Sequence, residues 1–361
     1  MKVAIVYDRV NKWGGAERVL LALHEIFPKA PLYTSLYNPK NAPWAKVFPE
    51  VKTSFLQKIP FTKSNHEFLP VFMPLVFASF DFSDFDLVIS VTSEAAKGIR
   101  SKGKTKHICY CLTPTRYLWS GYKDYFRNPV FKFITKPVVN LLRSWDKRVA
   151  MNPERIIAIS SEIKKRVKKY YGRDSAIIFP PVDTAKTGVK NNKTEGSKYF
   201  LLVSRLDYGY KKVDLAIDAF NELGLPLVIV GTGREESRLK KMSLGNIKFA
   251  GRVNEKKLAE YYSGAKALLM PQEEDFGIVA VEAQSYGVPV IAYKKGGATD
   301  TVIDEKTGVF FNKQNPKDLI AAVGKFEKMS FNKKAIMSNA RKFSKSRFKK
   351  EFLDIVKKVV H

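Results

Sequence analysis

Between Ala265 and Tyr293 the chain reads as strand, short helix, strand, and this crossing constrains the architecture more than any other stretch. Two strands joined by a helix belong side by side in a parallel sheet of the α/β class. Ala265 to Met270, AKALLM, is a short apolar run, and Val288 to Tyr293 is a second one with the β-branched Val288, Val290 and Ile291. The helix between them has a marked stop, because Gly287 suits the left-handed position after the last turn and Pro289 cannot continue it. Its start falls near Phe276 and Gly277, so the amides of Gly277, Ile278 and Val279 point out of the positive end of the helix dipole. That end is an anion site.

Two carboxylates flank it. Glu274 stands in the loop before those amides, and Glu282 lies about 6 Å further along the axis at the usual rise per residue. Such a pair can accept hydrogen bonds from hydroxyl groups on either side of a bound phosphate, which is the pattern of a nucleotide sugar. Two other readings stay open on spacing alone. Glu274 and Asp275 can simply cap the helix while Glu282 is a solvated charge, and a pair of carboxylates also suits a glycoside hydrolase.

The stretch EDFGIVAVE, followed by GVPVIA and GG, resembles the E-x7-E signature of retaining glycosyltransferases of family 4, which have the two-domain GT-B fold. The resemblance implies an α/β protein of two Rossmann-like, doubly wound domains facing a cleft. It implies that Glu274 contacts the donor hexose and acts in catalysis, that Glu282 holds the ribose, and that the backbone around Phe276, Gly277 and Ile278 faces the sugar and diphosphate. No metal and no cofactor beyond the nucleotide-sugar donor is implied.

At 361 residues the chain is long enough for two full cores, and its 45% hydrophobic and 27% charged content is that of a globular protein. Its 63 Lys plus Arg against 35 Asp plus Glu give a net charge of +28, so an anionic partner is expected: nucleic acid, an acidic membrane surface or a nucleotide. Met1 and Lys2 lead directly into the strand VAIVYD, with no apolar leader, and a cytoplasmic location is the expectation. Phe68 to Phe80, FLPVFMPLVFASF, is too short to span a bilayer and contains Pro70 and Pro74, so it is expected to be buried, with contact to lipid as the lesser alternative. Cys109 and Cys111 read as two free thiols.

In chain order, Val3 to Tyr7 is a strand, the loop NKWGGAERV follows, and a helix runs through Val19, Leu20, Leu23 and Phe27. Gly14 and Gly15 at the start of that helix leave only hydrogens in the way of a phosphate. By itself a Gly-Gly pair there makes a tight turn; the family resemblance implies that this loop closes over the donor diphosphate. Leu32 to Leu36, Leu87 to Thr92 and Lys106 to Cys111 read as further strands. Asp84-Phe85-Asp86 has the D-x-D spacing of a metal site, but Asp86 enters its strand at the amino end, whereas ligands of open α/β sheets bind outside the carboxyl ends.

After Cys111 comes LTPTRYLWSGYKDY, in which Arg116, Tyr117, Trp119, Tyr122 and Tyr125 either receive acceptor or donor or plug the wall. HICYC, then TP, then RYLW resembles the WbaZ-like branch of family 4, mostly mannosyltransferases of polysaccharide and O-antigen assembly. That resemblance implies GDP-mannose as donor, a glycan or lipid-linked acceptor, and Thr113, Arg116 and Tyr117 on the acceptor side. The branch has a His directly before Thr-Pro where this chain has Leu112, which leaves no His there to assign a role. His107 reads as structural, and His24, His66 and His361 show no metal-ligand spacing.

Phe131 to Val149 reads as a long helix, Arg155 to Ser160 as a strand, and Glu162 to Tyr171 as a helix with Ile163, Val167 and Tyr170 on its apolar face. Its Lys164, Lys165, Arg166, Lys168 and Lys169 form either a solvated face or, with Lys102, Lys104 and Lys106, a patch for anionic lipid worth about 1 kcal/mol per charge. TAKTGVKNNKTEGSK is polar and reads as a linker. Tyr199 to Ser204 then starts a second α/β unit whose helix runs from Val213 to Leu223. Between them lie Arg205 and the pair Lys211-Lys212, which by themselves read as exposed loop cations and could equally neutralise a departing diphosphate. The family pattern S-R-L, then K and V-D, makes Arg205 and Lys211 its catalytic, diphosphate-binding pair, and a longer DYGY loop leaves Lys212 as the alternative to Lys211. G-x-G at Gly231 and Gly233 lacks a third glycine and does not indicate NAD. FAGRV resembles the segment that meets the nucleobase, with Val253 as the contact.

Taken over nearly the whole chain, the resemblance implies an acceptor domain over residues 1–183, a linker over 184–198, a nucleotide-sugar domain over 199–342 and a helix over 343–361 that crosses back to the first domain. The function it implies is retaining transfer of a hexose to a glycan or lipid-linked acceptor, with a UDP-sugar as the alternative donor. The rival classes are a basic nucleic-acid-associated protein, another GT-B activity such as a phosphorylase or epimerase, and a non-catalytic relative. No nucleic acid is expected, because the charge is spread along the chain and no helix-turn-helix, zinc or RNA-recognition signature appears. A peripheral position on the inner face of a membrane is the alternative to a plain cytoplasmic one if the basic surface meets lipid.

Overall fold

The structure, a computed structural model, describes residues 1–59, 70–101, 103–184, 199–207 and 209–360. The expected linker lies outside them except for residue 184, as do Lys102, His66, His361 and the first two residues of the 68–80 run. The chain divides into two units, residues 1–181 with 348–361, and residues 182–347.

The first unit follows the order β1 (Val3–Tyr7), α1 (Gly15–Ile26), β2 (Leu32–Thr34), β3 (Val51–Thr53), α2 (Met73–Ala78), β4 (Leu87–Thr92), β5 (Lys106–Cys111), α3 (Tyr122–Tyr125), α4 (Pro129–Val149), β6 (Arg155–Ala158), α5 (Ser161–Tyr171) and β7 (Ala176–Ile177). Its strands form one parallel sheet in the order β3-β2-β1-β4-β5-β6-β7. Because helices cover both faces, β1 and β4 are buried along their whole length, which is why they read as unbroken apolar runs rather than as alternating ones. β1 and β4 pair in register from Val3 opposite Leu87 to Tyr7 opposite Val91.

The second unit runs β8 (Tyr199–Val203), α6 (Val213–Leu223), β9 (Leu227–Val230), α7 (Glu236–Met242), β10 (Ile247–Gly251), α8 (Glu255–Gly264), β11 (Ala265–Met270), α9 (Ile278–Ser285), β12 (Val290–Tyr293), α10 (Ala298–Thr301), β13 (Gly308–Phe311), α11 (Pro316–Glu327) and α12 (Lys333–Arg341). Its parallel sheet has the order β10-β9-β8-β11-β12-β13. One core layer packs α6 and α11 on one face through Phe200, Ile217, Phe220, Leu319 and Val323. The other packs α8 and α9 on the opposite face through Leu201, Tyr262, Leu268, Ala280 and Ala283.

The last helix, α13 (Lys345–Val360), buries Phe348, Phe352 and Val356. Phe348 meets the ring of Tyr110 edge-on at 5.7 Å, which places the end of the chain on the first sheet.

Several expectations shift on contact with the fold. The buried stripe of α5 is Ile163, Val167 and Tyr171, not Tyr170. Tyr170 instead stacks on Trp119 at 5.0 Å, a partner far away in sequence that periodicity does not register. The strand expected to reach Ser160 ends at Ala158, and the Ser160 hydroxyl accepts from the Ile163 amide as the cap of α5. The 68–80 run is not wholly buried. Over its described residues Met73, Val76 and Phe77 face inward while Val71, Phe72 and Leu75 are exposed, because a short helix has only one face to bury. Among the described residues no helix is long and apolar enough to cross a membrane.

Candidate active site

In an open parallel sheet, ligands sit outside the carboxyl ends of the strands where the strand order reverses. In the second unit that point lies between β8 and β11. The loop after β8 carries Arg205 and Lys211, and the loop after β11 carries Glu274, so strand order alone brings these residues to one place.

Lys211 ends a turn of 3₁₀ helix, and its ammonium lies 2.6 Å from Glu274 Oε1, with both side chains largely buried. Lys212 follows directly. It takes the left-handed conformation (φ 54°) at the start of α6. Tyr210 adds a ring 5.1 Å from the Lys211 ammonium. Arg205 is exposed at the end of β8.

Glu274 is held from several sides. Gln272 Nε2 donates to the same Oε1 at 3.0 Å, and the Glu274 carbonyl accepts from the Gly297 amide at 2.7 Å. A Cβ on Gly297 would lie 2.3 Å from the Phe276 Cα, so only glycine lets the loop after β12 close against the loop after β11. Gln272 is buried and went unnoticed in the sequence, where an isolated glutamine two residues before a glutamate carries no signal.

The helix expected near Phe276 begins at Ile278. Gly277 precedes it with φ 85°, a left-handed conformation that costs glycine nothing. The first turn closes with the Ala280 amide donating to the Gly277 carbonyl at 3.0 Å. The amides of Gly277, Ile278 and Val279 therefore remain at the positive end of α9. The Phe276 side chain is buried against Phe343 (5.6 Å), so Phe276 contributes backbone to this mouth and side chain to the core. One turn into the helix, Glu282 is half-buried and Oε2 accepts from the Tyr262 hydroxyl at 2.9 Å. Tyr262, on α8, is another positioning residue with no local signature. Val253 follows β10, the strand at the edge of this sheet.

A buried amide network holds α9 in place. Gln284 donates to the Thr301 carbonyl at 2.8 Å, and Asn339 Nδ2 bridges Gln284 Oε1 (2.7 Å) and the same carbonyl (2.9 Å). The result is a rigid helix start, with a cation and two carboxylates around it. It suits a dianionic group flanked by hydroxyls.

Gly14, Gly15, Thr113, Arg116 and Tyr117 belong to the first unit, whose own reversal point lies between β1 and β4. Gly14 is the cap residue of α1, with Gly15 its first residue. Asp8, at the end of β1, spans the reversal by accepting from Thr92 Oγ1 (2.9 Å) and from the amides of Ser93, Glu94, Ala95 and Ala96 (2.7–3.0 Å). Glu94 is thereby presented with Oε2 2.5 Å from Arg9 and Oε1 2.9 Å from the Tyr117 hydroxyl. Burial raises the Glu94 pKa, with Arg9 opposing, and burial together with the Glu94 charge pushes the Tyr117 phenol far up. Thr113 is buried with its hydroxyl on the Pro114 carbonyl (3.3 Å).

Behind this loop Asp146, fully buried, accepts from Lys97 (2.6 Å), Thr115 (2.9 Å), Trp119 (2.7 Å) and Tyr171 (2.8 Å). Trp119 thus belongs to the wall. Cys109 and Cys111 are buried and not joined in a disulfide, and burial raises the Cys109 thiol to about 11. Asp86 accepts from the Lys2 amide at 2.6 Å, at the amino end of β4 as expected. Among the described residues no group of three or more His, Cys, Asp or Glu is arranged to hold a metal.

Residues 183–343 match the family Glycosyl transferases group 1. An uncharacterised glycosyltransferase of Methanocaldococcus jannaschii is 28% identical over 208 residues, 56% of this chain and 58% of that protein. The alignment therefore spans less than two thirds of that relative. Among solved structures, the lipopolysaccharide outer core galactosyltransferase WaaB in its apo form superposes with a TM-score of 0.71 at 19% identity, covering 99% of each chain. Anabaena HepE in complex with UDP superposes with a TM-score of 0.72 at 18% identity, covering 99% of this chain and 100% of that one. The fold is GT-B. The matched segment contains Arg205, Lys211, Val253, Glu274, Phe276, Gly277, Ile278 and Glu282.

Proposed function

We propose that this protein is a retaining glycosyltransferase that moves a hexose from a nucleoside diphosphate sugar to a glycan or lipid-linked acceptor in cell-surface polysaccharide synthesis. The observation that carries the reading is the Lys211–Glu274 pair at the carboxyl ends of β8 and β11, beside the open amides of α9. A lone carboxylate pair would suit several chemistries. A carboxylate pair beside a fixed cation and a helix start suits a sugar diphosphate in particular.

In this reading the diphosphate lies on the α9 amides with Arg205 and Lys211 as its cations. Glu274 binds the hexose, Glu282 the ribose, and Val253 lies against the nucleobase. Gly14 and Gly15 cover the diphosphate, and Thr113, Arg116 and Tyr117 serve the acceptor side. The bond from the sugar C1 to the β-phosphate oxygen breaks, and a bond from C1 to the acceptor oxygen forms on the same face. The acceptor proton passes to the leaving phosphate. Arg205 and Lys211 stabilise the charge that develops there, an effect worth about 2.7–4 kcal/mol when one such donor is removed elsewhere.

GDP-mannose is the donor that the resemblance to the WbaZ-like branch favours, and a UDP-sugar is the second reading, favoured by the likeness to a structure that holds UDP. The deciding experiment is proton NMR of the purified protein with GDP-mannose or UDP-glucose and a lipid-linked saccharide. Nucleoside diphosphate release with an α-linked product supports the reading. An inverted product, or hydrolysis of a glycan without nucleotide, contradicts it.

A further inference from the structure

α4 carries a face that the fold does not use. Its inner stripe, Val139, Leu142, Asp146 and Val149, is buried. On its other side Val130, Phe131, Phe133, Ile134, Val138 and Leu141 are each between 41% and 79% exposed. Phe131 has part of a partner, since its ring stacks on Phe126 at 5.8 Å. Single exposed apolar residues are ordinary, but the other five on one helix form a patch that needs one. Positions 130, 134, 138 and 141 follow the spacing of one helical row, so they make a continuous ridge with Phe131 and Phe133 beside it.

Charge says what covers this ridge. Lys132, Lys136, Lys147 and Arg148 are exposed on the same helix. The one acidic residue of α4, Asp146, is fully buried and paired with Lys97, so the outer surface of α4 carries apolar and cationic side chains, with Asn140 and Ser144 between them, and no negative charge. That composition is the signature of a helix lying in a membrane interface. The lysine stems can run along the apolar surface while their ammonium groups reach the phosphates.

Two other surfaces fail the same test. α2 and the turn before it expose Val71, Phe72 and Leu75, but Asp81, Asp84 and Asp86 follow directly and oppose an anionic surface. α5, the basic helix that the sequence pointed to, has its apolar stripe buried, and two of its cations are paired at home, Lys164 with Asp174 and Arg166 with Glu162. It offers charge with no apolar anchor.

We propose that residues 130–141 of α4 lie in the plane of an anionic lipid bilayer, with the apolar ridge among the acyl chains and Lys132 and Lys136 at the headgroup phosphates. The inference does not depend on glycosyl transfer and is tested without it. The full chain is sedimented with phosphatidylcholine vesicles and with vesicles containing phosphatidylglycerol, at low and high salt. Wild type binds the anionic vesicles and loses binding as salt rises. Phe133→Ser with Leu141→Ser lowers partitioning by about tenfold or more. Their side chains are exposed, so an unchanged melting temperature confirms that the fold is intact. Lys132→Glu with Lys136→Glu weakens binding and flattens its salt dependence, while Lys165→Glu with Lys168→Glu on α5 changes it little.

Absence of binding to anionic vesicles overturns the proposal, as does equal binding by the Phe133/Leu141 variant. A concentration-dependent dimer in sedimentation velocity that this variant abolishes, with vesicle binding unaltered, would make the face an interface between copies and overturn it as well.

Discussion

Lys211 and Glu274 are 63 residues apart in the chain, yet their side chains meet at 2.6 Å across the point where the second sheet reverses its strand order. The pair joins the loop after β8 to the loop after β11. In the proposed reading the cation meets the leaving diphosphate and the carboxylate meets the sugar hydroxyls. No sequence pattern links the two residues to each other.

Replacing Lys211 with Met is expected to lower kcat by about 10²–10³-fold, the loss typical of one preorganised charge-stabilising group. Lys212→Met, one residue on and at the left-handed cap position of α6, is expected to stay within about threefold. Steady-state kinetics of the two variants side by side decide it. Equal losses would show that both lysines serve the diphosphate.

Gly297→Ala tests the contact between the loops after β11 and β12. Its methyl group would meet the Phe276 backbone at 2.3–2.5 Å, so the Glu274 loop must move. Overpacking of this kind costs about 1–3 kcal/mol. Donor affinity, measured by titration calorimetry, should fall by at least as much as global stability does. A variant with full donor affinity would show that the loop is not part of the site.

The Lys97–Asp146 pair is expected to dominate local stability in the first unit. Asp146→Ala leaves Lys97 buried without its counter-ion and is predicted to cost about 3–5 kcal/mol in urea unfolding. Lys97→Met combined with Asp146→Leu should recover much of that loss. If the double variant is as unstable as Asp146→Ala, then the hydrogen bonds from Thr115, Trp119 and Tyr171, rather than the charge pair, carry the stability.

His107 supplies a pH dependence with a definite sign. Burial lowers its pKa to about 3, its Nε2 shares a hydrogen bond of 2.8 Å with Ser90, and its Nδ1 has no partner. The folded form therefore favours the neutral ring, while the unfolded chain takes up a proton near pH 6.5. The contribution is fully present above that pH and is lost as pH falls toward 3, by about 1.4 kcal/mol per pH unit. Unfolding free energies at pH 7, 6 and 5 should show a slope that His107→Gln removes, and equal slopes in the two proteins would contradict this account.

Much of the fold was legible because parallel strands buried on both faces write themselves as apolar runs. Val3–Tyr7, Leu87–Thr92, Lys106–Cys111 and Ala265–Met270 stand where the runs place them. The start of α9 was legible for a different reason, since Gly277, Gly287 and Pro289 are punctuation with a mechanism. What could not be read depends on residues that meet only in three dimensions. Asp146 draws its donors from positions 97, 115, 119 and 171, and no periodicity links them. Gln272 and Tyr262 position Glu274 and Glu282 with no local pattern. The contact of Lys211 with Glu274 and the exchange of Tyr170 for Tyr171 rest on partners outside their own segments. The outward ridge of α4 was hidden for the opposite reason, since an apolar helix reads as a core helix until its neighbours are known.

The central claim is that the second unit holds a nucleotide sugar on Lys211, Glu274, Glu282 and the start of α9. Thermal unfolding with GDP-mannose, UDP-glucose, UDP-N-acetylglucosamine and GDP alone, for wild type and Glu282→Ala, tests it most directly. A donor at about 100 times its dissociation constant adds about 2.7 kcal/mol to stability, enough to raise the melting temperature visibly. The account predicts stabilisation by one nucleotide sugar, GDP-mannose on the branch resemblance, and its loss in Glu282→Ala. No response to any nucleotide sugar, together with stabilisation by unrelated polyanions, would contradict it.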